Sequence, residues 1–225
     1  MLPPSNPSLI LDPEVPRTLT EPKTKSDQID YIFPWLLHWT IKDERIGNFR
    51  SDAFAVKTND GLVMIDPLPL TEETWAEIKE VCAILLTHGN HQRSAWRFRK
   101  KLGVSVYAPT GSSLDEEPDH WFGEEDRLPG DFQAIKAIAF QHTCYLVFEH
   151  PDGTGVLFCG DLICHDEGGP YRFPVQPGYF NSADGRLDVK GLLQLPLQVM
   201  CSGHALPSID GCSDVLQGVI DRSDY

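Results

Sequence analysis

From residue 29 onward, short apolar runs alternate with clusters of turn-forming residues. Runs rich in β-branched and aromatic residues predict strands over residues 31–33, 35–41, 53–57 and 62–65. The Asp60-Gly61 step between the last two runs is typical of a tight hairpin. Residues 81–86 are continuously apolar, which predicts a strand covered on both faces.

Helical and extended patterns alternate along the rest of the chain. The spacing predicts helices over residues 71–80, from 91 or 94 to 101, 188–195 and 213–222, and strands over 104–108, 132–139, 144–149, 156–159 and 198–201. We expect one domain over residues 29–225, whose halves, about 29–130 and 131–225, each supply a sheet with helices outside it. The proline-rich residues 1–28 are predicted to form an extended segment on its surface.

Composition narrows the class of protein. Lys and Arg number 19 against 33 Asp and Glu, so the net charge is −14, which disfavours general nucleic-acid binding. No apolar run reaches the about 20 residues of a membrane span, and the first residues lack the pattern of a secretory signal. The cysteines form no C-x-x-C pair and are expected to be reduced. These features predict a soluble cytoplasmic protein that does not bind membranes.

Four polar residues follow the ends of predicted strands. They are His88, His142, Asp161 and His204. Side chains at strand ends converge in a crevice while the sheet holds them rigid. Imidazoles combined with one carboxylate form a ligand set that suits zinc or iron. The sequence therefore predicts a metal-type site at one edge of the fold.

The segments that carry these residues resemble the ordered motifs of the metallo-β-lactamase superfamily. The matching stretches are residues 63–66, 84–88, 141–143, 157–161 and 203–204. The resemblance covers about residues 31–222 and implies an α+β fold, a four-layer αββα sandwich. It also implies a site between the two sheets and hydrolytic chemistry at one or two metal ions.

The main motif of that superfamily, T-H-x-H-x-D-H, is altered in this chain. Residues 87–93 read T-H-G-N-H-Q-R, so Asn90, Gln92 and Arg93 replace the second histidine, the aspartate and the last histidine. The resemblance implies that the second metal would retain His204 and the bridging Asp161 alone. A guanidinium stays charged and does not ligate, so we expect at most one metal. We also expect Arg93 to pair with Asp161 in place of the missing ion.

Two alternatives remain for the site: it binds a single metal ion, or it binds no metal. The expected ligands of one Zn or Fe ion are His88, His142 and Asp161, and Asn90 is a candidate weak oxygen ligand. His91 is a candidate substitute ligand, but it lies one residue past the usual position, which favours a structural role over ligation. His204 is a further candidate ligand. As catalytic residues we expect Asp161, Arg93 and His204, and the loop residues Tyr171 and Arg172 are candidate substrate contacts.

Three functions follow from these alternatives. The first is hydrolysis of an ester, thioester or amide in a small-molecule substrate by water activated at one metal. The second is a binding protein in which the fold persists without metal or catalysis. The third, implied by the resemblance, is oxygen chemistry like that of the persulfide dioxygenases, which bind one iron through residues corresponding to His88, His142 and Asp161. The sequence predicts no oligomeric state.

Overall fold

A computed structural model describes residues 21–124, 126–165, 168–175 and 179–222. The first half forms a sheet of seven strands that neighbour one another in chain order. These strands are β1 (Asp30–Phe33), β2 (Leu36–Asp43), β3 (Phe49–Thr58), β4 (Gly61–Ile65), β5 (Val81–Leu85), β6 (Ser105–Pro109) and β7 (His120–Phe122). The pairs from β1 to β4 are antiparallel, and those from β4 to β7 are parallel.

The second half contributes a five-stranded sheet and a small two-stranded one. Its strands are β8 (Gln133–Lys136), β9 (Cys144–Glu149), β10 (Gly155–Phe158), β11 (Cys164–His165), β12 (Tyr171–Arg172), β13 (Val199–Ser202) and β14 (Ala205–Ser208). The larger sheet has the order β14-β13-β10-β9-β8, and β11 pairs with β12. The antiparallel meander that we predicted is formed by β8, β9 and β10.

Four α-helices cover the outer faces of the two large sheets in the described part of the chain. They are α1 (Glu72–Trp75), α2 (Ala95–Leu102), α3 (Ser182–Leu192) and α4 (Cys212–Arg222). Helix α3 begins six residues before the predicted start because the Asn181 side chain accepts hydrogen bonds from the amides of Ala183 and Asp184. Helix α1 ends at Trp75 rather than at residue 80. None of the helices described is long and apolar enough to span a membrane.

The alternation of side chains along each strand builds three hydrophobic layers. On β4, Met64 packs towards α1 and α2, whereas Ile65 faces the second sheet. On β10, Phe158 faces the first sheet, whereas Leu157 packs towards α3 and α4. The layers are therefore helices, sheet, sheet and helices, which confirms the predicted αββα sandwich of class α+β.

Four short strands and a buried contact were not anticipated. β7 lies within the polar stretch of residues 110–130, β11 and β12 lie in the predicted loop after Asp161, and β14 follows His204 directly. Near the start of the described chain, the buried Glu21 carboxylate binds the Arg97 guanidinium at 2.7 Å and accepts a hydrogen bond from the Ser94 hydroxyl at 2.7 Å. Residues 1–20 of the predicted N-terminal segment lie outside the described residues.

The strand ends of both sheets meet at one edge of the sandwich. β10 and β13 are parallel neighbours, so Asp161 and His204 follow the same end of adjacent strands. The Gly203 amide hydrogen-bonds the Gly160 carbonyl across this pair. The first sheet joins at the same edge, because the Cys144 amide donates to the Thr87 carbonyl at 3.0 Å.

Candidate metal centre

Asp161 is the centre of a cluster of three histidines at this edge. Its Oδ1 lies 2.8 Å from His91 Nε2 and 3.2 Å from His204 Nε2. Its Oδ2 lies 3.1 Å from His88 Nε2. One ligand atom each from His88, His91 and Asp161 falls within 4.8 Å of the others, so these residues form a group able to hold a metal ion.

His91 enters the cluster because of the local backbone conformation. Residues Gly89–His91 form a 3-10 turn that begins at His88, and the His91 amide donates to the His88 carbonyl at 3.0 Å. In a 3-10 turn, side chains three residues apart lie above one another. The two imidazoles therefore stack, with ring centroids 4.8 Å apart and planes 7° apart. The sequence-based expectation of a structural role for His91 did not take this turn into account.

Asp66, at the end of β4, fixes the orientation of His91 from behind. Its buried carboxylate lies 2.8 Å from His91 Nδ1 and accepts hydrogen bonds from the amide and the hydroxyl of Thr87 at 2.8 and 2.6 Å. His204 has a similar support, since its Nδ1 lies 2.7 Å from the Arg50 carbonyl. A partner on Nδ1 that accepts a proton is the usual support of a histidine that ligates through Nε2.

Two buried atoms in the cluster have no hydrogen-bond partner in the described part of the chain. They are His91 Nε2 and Asp161 Oδ1, which lie 2.8 Å apart but are not aligned for a hydrogen bond. Two ligands at about 2.1 Å from one ion, about 90° apart, are separated by about 3 Å. The short, misaligned separation therefore fits two ligands of a shared cation, and the residues present fit the metal ion that the fold implies.

The carboxylates of Asp161 and Asp66 and the imidazole of His91 shift one another's pKa values in favour of their charged forms. The pKa of the Asp161 carboxyl lies well below its usual value, because His91, His204 and His88 outweigh the opposing effect of burial. The pKa of Asp66 is also lowered, against burial, by His91 and Arg93. For His91, burial and Arg93 lower the pKa, but the two carboxylates Asp161 and Asp66 prevail and raise it. The site thus retains two buried carboxylates in their charged form.

Tyr179, which the sequence did not single out, belongs to the site. Its hydroxyl donates to Asp161 Oδ2 at 3.0 Å and lies 2.5 Å from His88 Nε2. Burial and the nearby Asp161 carboxylate raise the pKa of this phenol. A tyrosine in a long irregular loop carries no motif of its own, so no signal in the sequence marked it.

His142 and Asn90 lie outside the cluster. The His142 side chain is exposed, and its Nδ1 faces the Thr110 carbonyl at 3.2 Å. The exposed Asn90 directs its amide towards the Tyr179 hydroxyl at 3.4 Å rather than towards Asp161. The structure therefore does not assemble the predicted set of His88, His142 and Asp161, because His91 rather than His142 joins the group.

Arg93 is buried close to the cluster, but the predicted pairing with Asp161 is wrong. Its Nη1 donates to the carbonyls of Asp52 and Asp66 at 2.7 and 3.1 Å, and its Nη2 donates to the Gly203 carbonyl at 3.4 Å. These carbonyls belong to β3 and to the segments that follow β4 and β13, so the guanidinium holds the backbone rather than the carboxylate. Arg93 Nε lacks a hydrogen-bond partner among the described residues.

Gln92 makes structural contacts outside the cluster. Its Oε1 accepts hydrogen bonds from the indole of Trp96 at 2.6 Å and from the amide of Asp115 at 2.7 Å. The residue at the aspartate position of the motif thus ties the start of α2 to the loop after β6.

Two cavities open beside the cluster. One, of about 630 Å³, is lined by Asp161, His91, His204 and Arg93, and includes Arg172. The other, of about 840 Å³, is lined by polar and apolar residues that include His88, His142 and the acidic Asp184. Tyr179 and Asn90 line both.

The predicted substrate contacts Tyr171 and Arg172 differ in their positions. Arg172 lines the smaller cavity. The Tyr171 hydroxyl instead donates to the Leu206 carbonyl at 3.1 Å, and its ring packs against His165.

Fold and site together define a protein of the metallo-β-lactamase fold, as the resemblance in the motifs implied. Among solved structures, the chain is similar to the DIM-1 metallo-β-lactamase, with a TM-score of 0.70, 15% identity, and 89% of this chain and 98% of that one covered. It is also similar to the metallo-β-lactamase FIM-1 from Pseudomonas aeruginosa in its mono-zinc form, with a TM-score of 0.65, 12% identity, and coverage of 92% and 99%.

One curated relative is a hydroxyacylglutathione hydrolase from Chromohalobacter salexigens. It is 28% identical over 130 residues, which are 55% of this chain and 49% of the relative. The match thus spans about half the length of that relative. No protein-family model matches the sequence.

Proposed function

We propose that this protein is a hydrolase that uses one divalent metal ion, held by Asp161 and two of the neighbouring histidines. The observation that carries this proposal is the convergence of His91 Nε2 and Asp161 Oδ1, buried and without hydrogen-bond partners in the described chain. Two buried polar atoms left unpaired are costly unless a cation satisfies both. Zinc or iron suits two imidazoles and a carboxylate.

When bound, a divalent ion supplies a Lewis acid and lowers the pKa of a bound water. The residues of the chain supply the surroundings. Asp161 brings negative charge to the ion site, and Asp66 orients His91 from behind. The buried guanidinium of Arg93 adds a fixed positive charge at the wall of the smaller cavity, where it favours the developing negative charge of a carbonyl under attack.

The shape of the smaller cavity indicates the kind of substrate. Its volume of about 630 Å³ suits a small molecule. Its lining also includes apolar residues, which are Ile46, Phe49, Pro174 and Val175. We therefore propose a small ester or thioester with an apolar portion, and the amide of the sequence-based hypothesis as a further substrate class.

Two relatives support this choice of chemistry. The curated relative is named for the hydrolysis of a hydroxyacylglutathione. The P. aeruginosa enzyme FIM-1 was crystallised with one zinc ion, so this fold accommodates a single metal. The oxygen chemistry considered from the sequence drew on His142 as a ligand, and no observation in the structure favours it.

The test compares hydrolysis of p-nitrophenyl acetate and of a hydroxyacylglutathione by the metal-free protein and by protein loaded with Zn²⁺ or Fe²⁺. We expect activity in a loaded form alone, and a loss of at least about 100-fold in Asp161→Asn. Asp152→Asn, which changes an exposed turn residue, is the matched control. Absence of binding at micromolar metal would overturn the proposal and leave the binding-protein alternative.

A further inference from the structure

The hydrogen bonds of His88 point in the opposite sense from those of the other two histidines. The Asn90 backbone amide donates to His88 Nδ1 at 2.8 Å. A neutral imidazole has one acceptor nitrogen and one N–H donor. Because Nδ1 is the acceptor, the proton of His88 lies on Nε2, the nitrogen that faces the cluster.

Both groups in front of that proton accept it. The Tyr179 hydroxyl lies 2.5 Å from His88 Nε2, and Asp161 Oδ2 lies 3.1 Å from it. The tyrosine in turn donates its own proton to Asp161 Oδ2 at 3.0 Å. His88, Tyr179 and Asp161 thus form a chain of hydrogen bonds in which each donor has an acceptor. The Nε2 lone pair that a metal requires is absent in this state of His88.

His91 and His204 have the reverse arrangement. Their Nδ1 atoms face acceptors, the Asp66 carboxylate at 2.8 Å and the Arg50 carbonyl at 2.7 Å. Each Nδ1 therefore carries a proton, and in the neutral ring the lone pair is on Nε2. Both Nε2 atoms face the same oxygen, Asp161 Oδ1, at 2.8 and 3.2 Å.

We propose that the metal ligands of this chain are His91, His204 and Oδ1 of Asp161, and that His88 and Tyr179 are positioning residues. This inference rests on the proposed metal-dependent function and specifies its ligands. The two positioning residues occupy Asp161 Oδ2, so the carboxylate binds the ion through a single oxygen. His91, which the 3-10 turn directs into the cluster, thus replaces His88, the first histidine of the motif, as a proposed ligand.

The same substitution at three histidines tests this assignment. Glutamine retains an N–H donor for Tyr179 but is a poor zinc ligand. For His91→Gln and His204→Gln, we expect the affinity for Zn²⁺, measured by competition with a chromophoric chelator, to fall at least about 100-fold. For His88→Gln we expect a change within about 3-fold, because no ligand is lost and the glutamine side chain retains the N–H donor that orients Tyr179. His120→Gln, on the edge strand β7, is the control and is expected to bind as the unaltered protein does.

A spectroscopic count of ligands provides a second readout. In the Co²⁺-loaded protein, each ligating histidine gives one exchangeable N–H proton with a strongly shifted NMR signal. We expect the signals of two histidines, unchanged in His88→Gln and reduced to one in His91→Gln or His204→Gln. In the metal-free protein, ¹⁵N spectra are expected to show the proton of His88 on Nε2 and that of His204 on Nδ1.

Tyr179→Phe tests whether Tyr179 orients Asp161 without ligating the metal ion itself. We expect Zn²⁺ affinity to fall by about 10-fold while the Co²⁺ protein retains the signals of two histidines. A loss in His88→Gln as large as in His91→Gln, or a metal-free His88 with its proton on Nδ1, would overturn the assignment while the proposed hydrolase stands. Absence of Zn²⁺ and Co²⁺ binding in the unaltered protein would overturn both proposals.

Discussion

Asp66 fixes the position of His91 in the cluster through its buried carboxylate. It is 3% exposed, and its carboxylate joins β4 to the Thr87 backbone and to His91. Its φ of 49° lies in the left-handed region, where a residue other than glycine is strained. This position is held because the carboxylate has three partners at once. Asp66 therefore orients His91, one of the proposed metal ligands.

Replacement of Asp66 by asparagine should lower the free energy of unfolding by about 3 kcal/mol at neutral pH, because His91 loses its charged partner in a buried site. The native pKa of Asp66 lies below 3.8, so its charge stabilises the fold above that pH. This contribution declines as the pH falls from 3.8 towards the native pKa. Chemical denaturation from pH 7 to pH 3 measures both effects.

The difference between the unaltered protein and Asp66→Asn should therefore shrink below about pH 5, as the Asp66 carboxylate becomes protonated. It should also decline above about pH 6.5, as His91, whose pKa Asp66 helps to raise, loses its proton. Asp221→Asn, which changes an exposed residue in the last turn of α4, is expected to show no such dependence. A difference that stays constant down to pH 3 would contradict the role assigned to the Asp66 charge.

The candidate site could be predicted from the sequence only in part. Asp161 and His204 were expected because each follows an apolar strand, and the structure places both in the cluster. His91 was assigned a structural role because the spacing of the superfamily motif was followed residue by residue, whereas a 3-10 turn changes which residue faces inward. Tyr179 came from a loop whose course depends on the whole fold.

At the scale of elements, helix α3 is attached to the second sheet through Asp188. This buried carboxylate accepts hydrogen bonds from the amides of Ile138 and Ala139 at 2.9 Å each and from the Tyr145 hydroxyl at 2.7 Å. Burial and the adjacent carboxylate raise the pKa of Tyr145, so the phenol remains a donor. One side chain thereby fixes α3, the segment after β8 and the strand β9 relative to one another.

Asp188→Ala should lower the free energy of unfolding by about 3 kcal/mol, because it leaves the Tyr145 hydroxyl and the Ala139 amide buried without an acceptor. Urea denaturation followed by circular dichroism measures the change. Lys190→Ala, at an exposed position of the same helix, is the matched control and is expected to change stability by less than about 0.5 kcal/mol. Equal effects of the two substitutions would show that α3 does not depend on this carboxylate.

On the scale of the whole molecule, the candidate metal centre joins the two halves of the sandwich. His88 and His91 follow β5 of the first sheet, whereas Asp161 and His204 follow β10 and β13 of the second. Arg93 reinforces the junction, because it binds carbonyls of Asp52 in β3 and of Gly203 after β13. An ion in this position therefore binds the folded chain and not the separated halves.

Metal binding should accordingly stabilise the fold. At a free Zn²⁺ concentration of about 100 times Kd, linkage predicts about 2.7 kcal/mol of added stability, which corresponds to an increase in Tm of about 5–10 °C for a chain of this length. Scanning calorimetry with Zn²⁺, and again after a chelator is added, measures this shift. Asp161→Asn should show less than about 1 °C. An equal shift in this variant would indicate that zinc binds elsewhere.

The sequence by itself determined most of the strands and helices, because the alternation of apolar side chains along a strand is local and decides which face is buried. The order of its motifs resembles that of the metallo-β-lactamase superfamily, and this resemblance implied the layers of the sandwich. It also showed that two ligand positions of the superfamily motif are replaced, since Gln92 and Arg93 can be read directly. Only the tertiary structure decided which donor or acceptor faces each imidazole nitrogen, and the proposed choice of metal ligands rests on these partners. The position of each imidazole proton depends on partners far along the chain, such as the Arg50 carbonyl opposite His204 and Tyr179 opposite His88, and no local pattern encodes them.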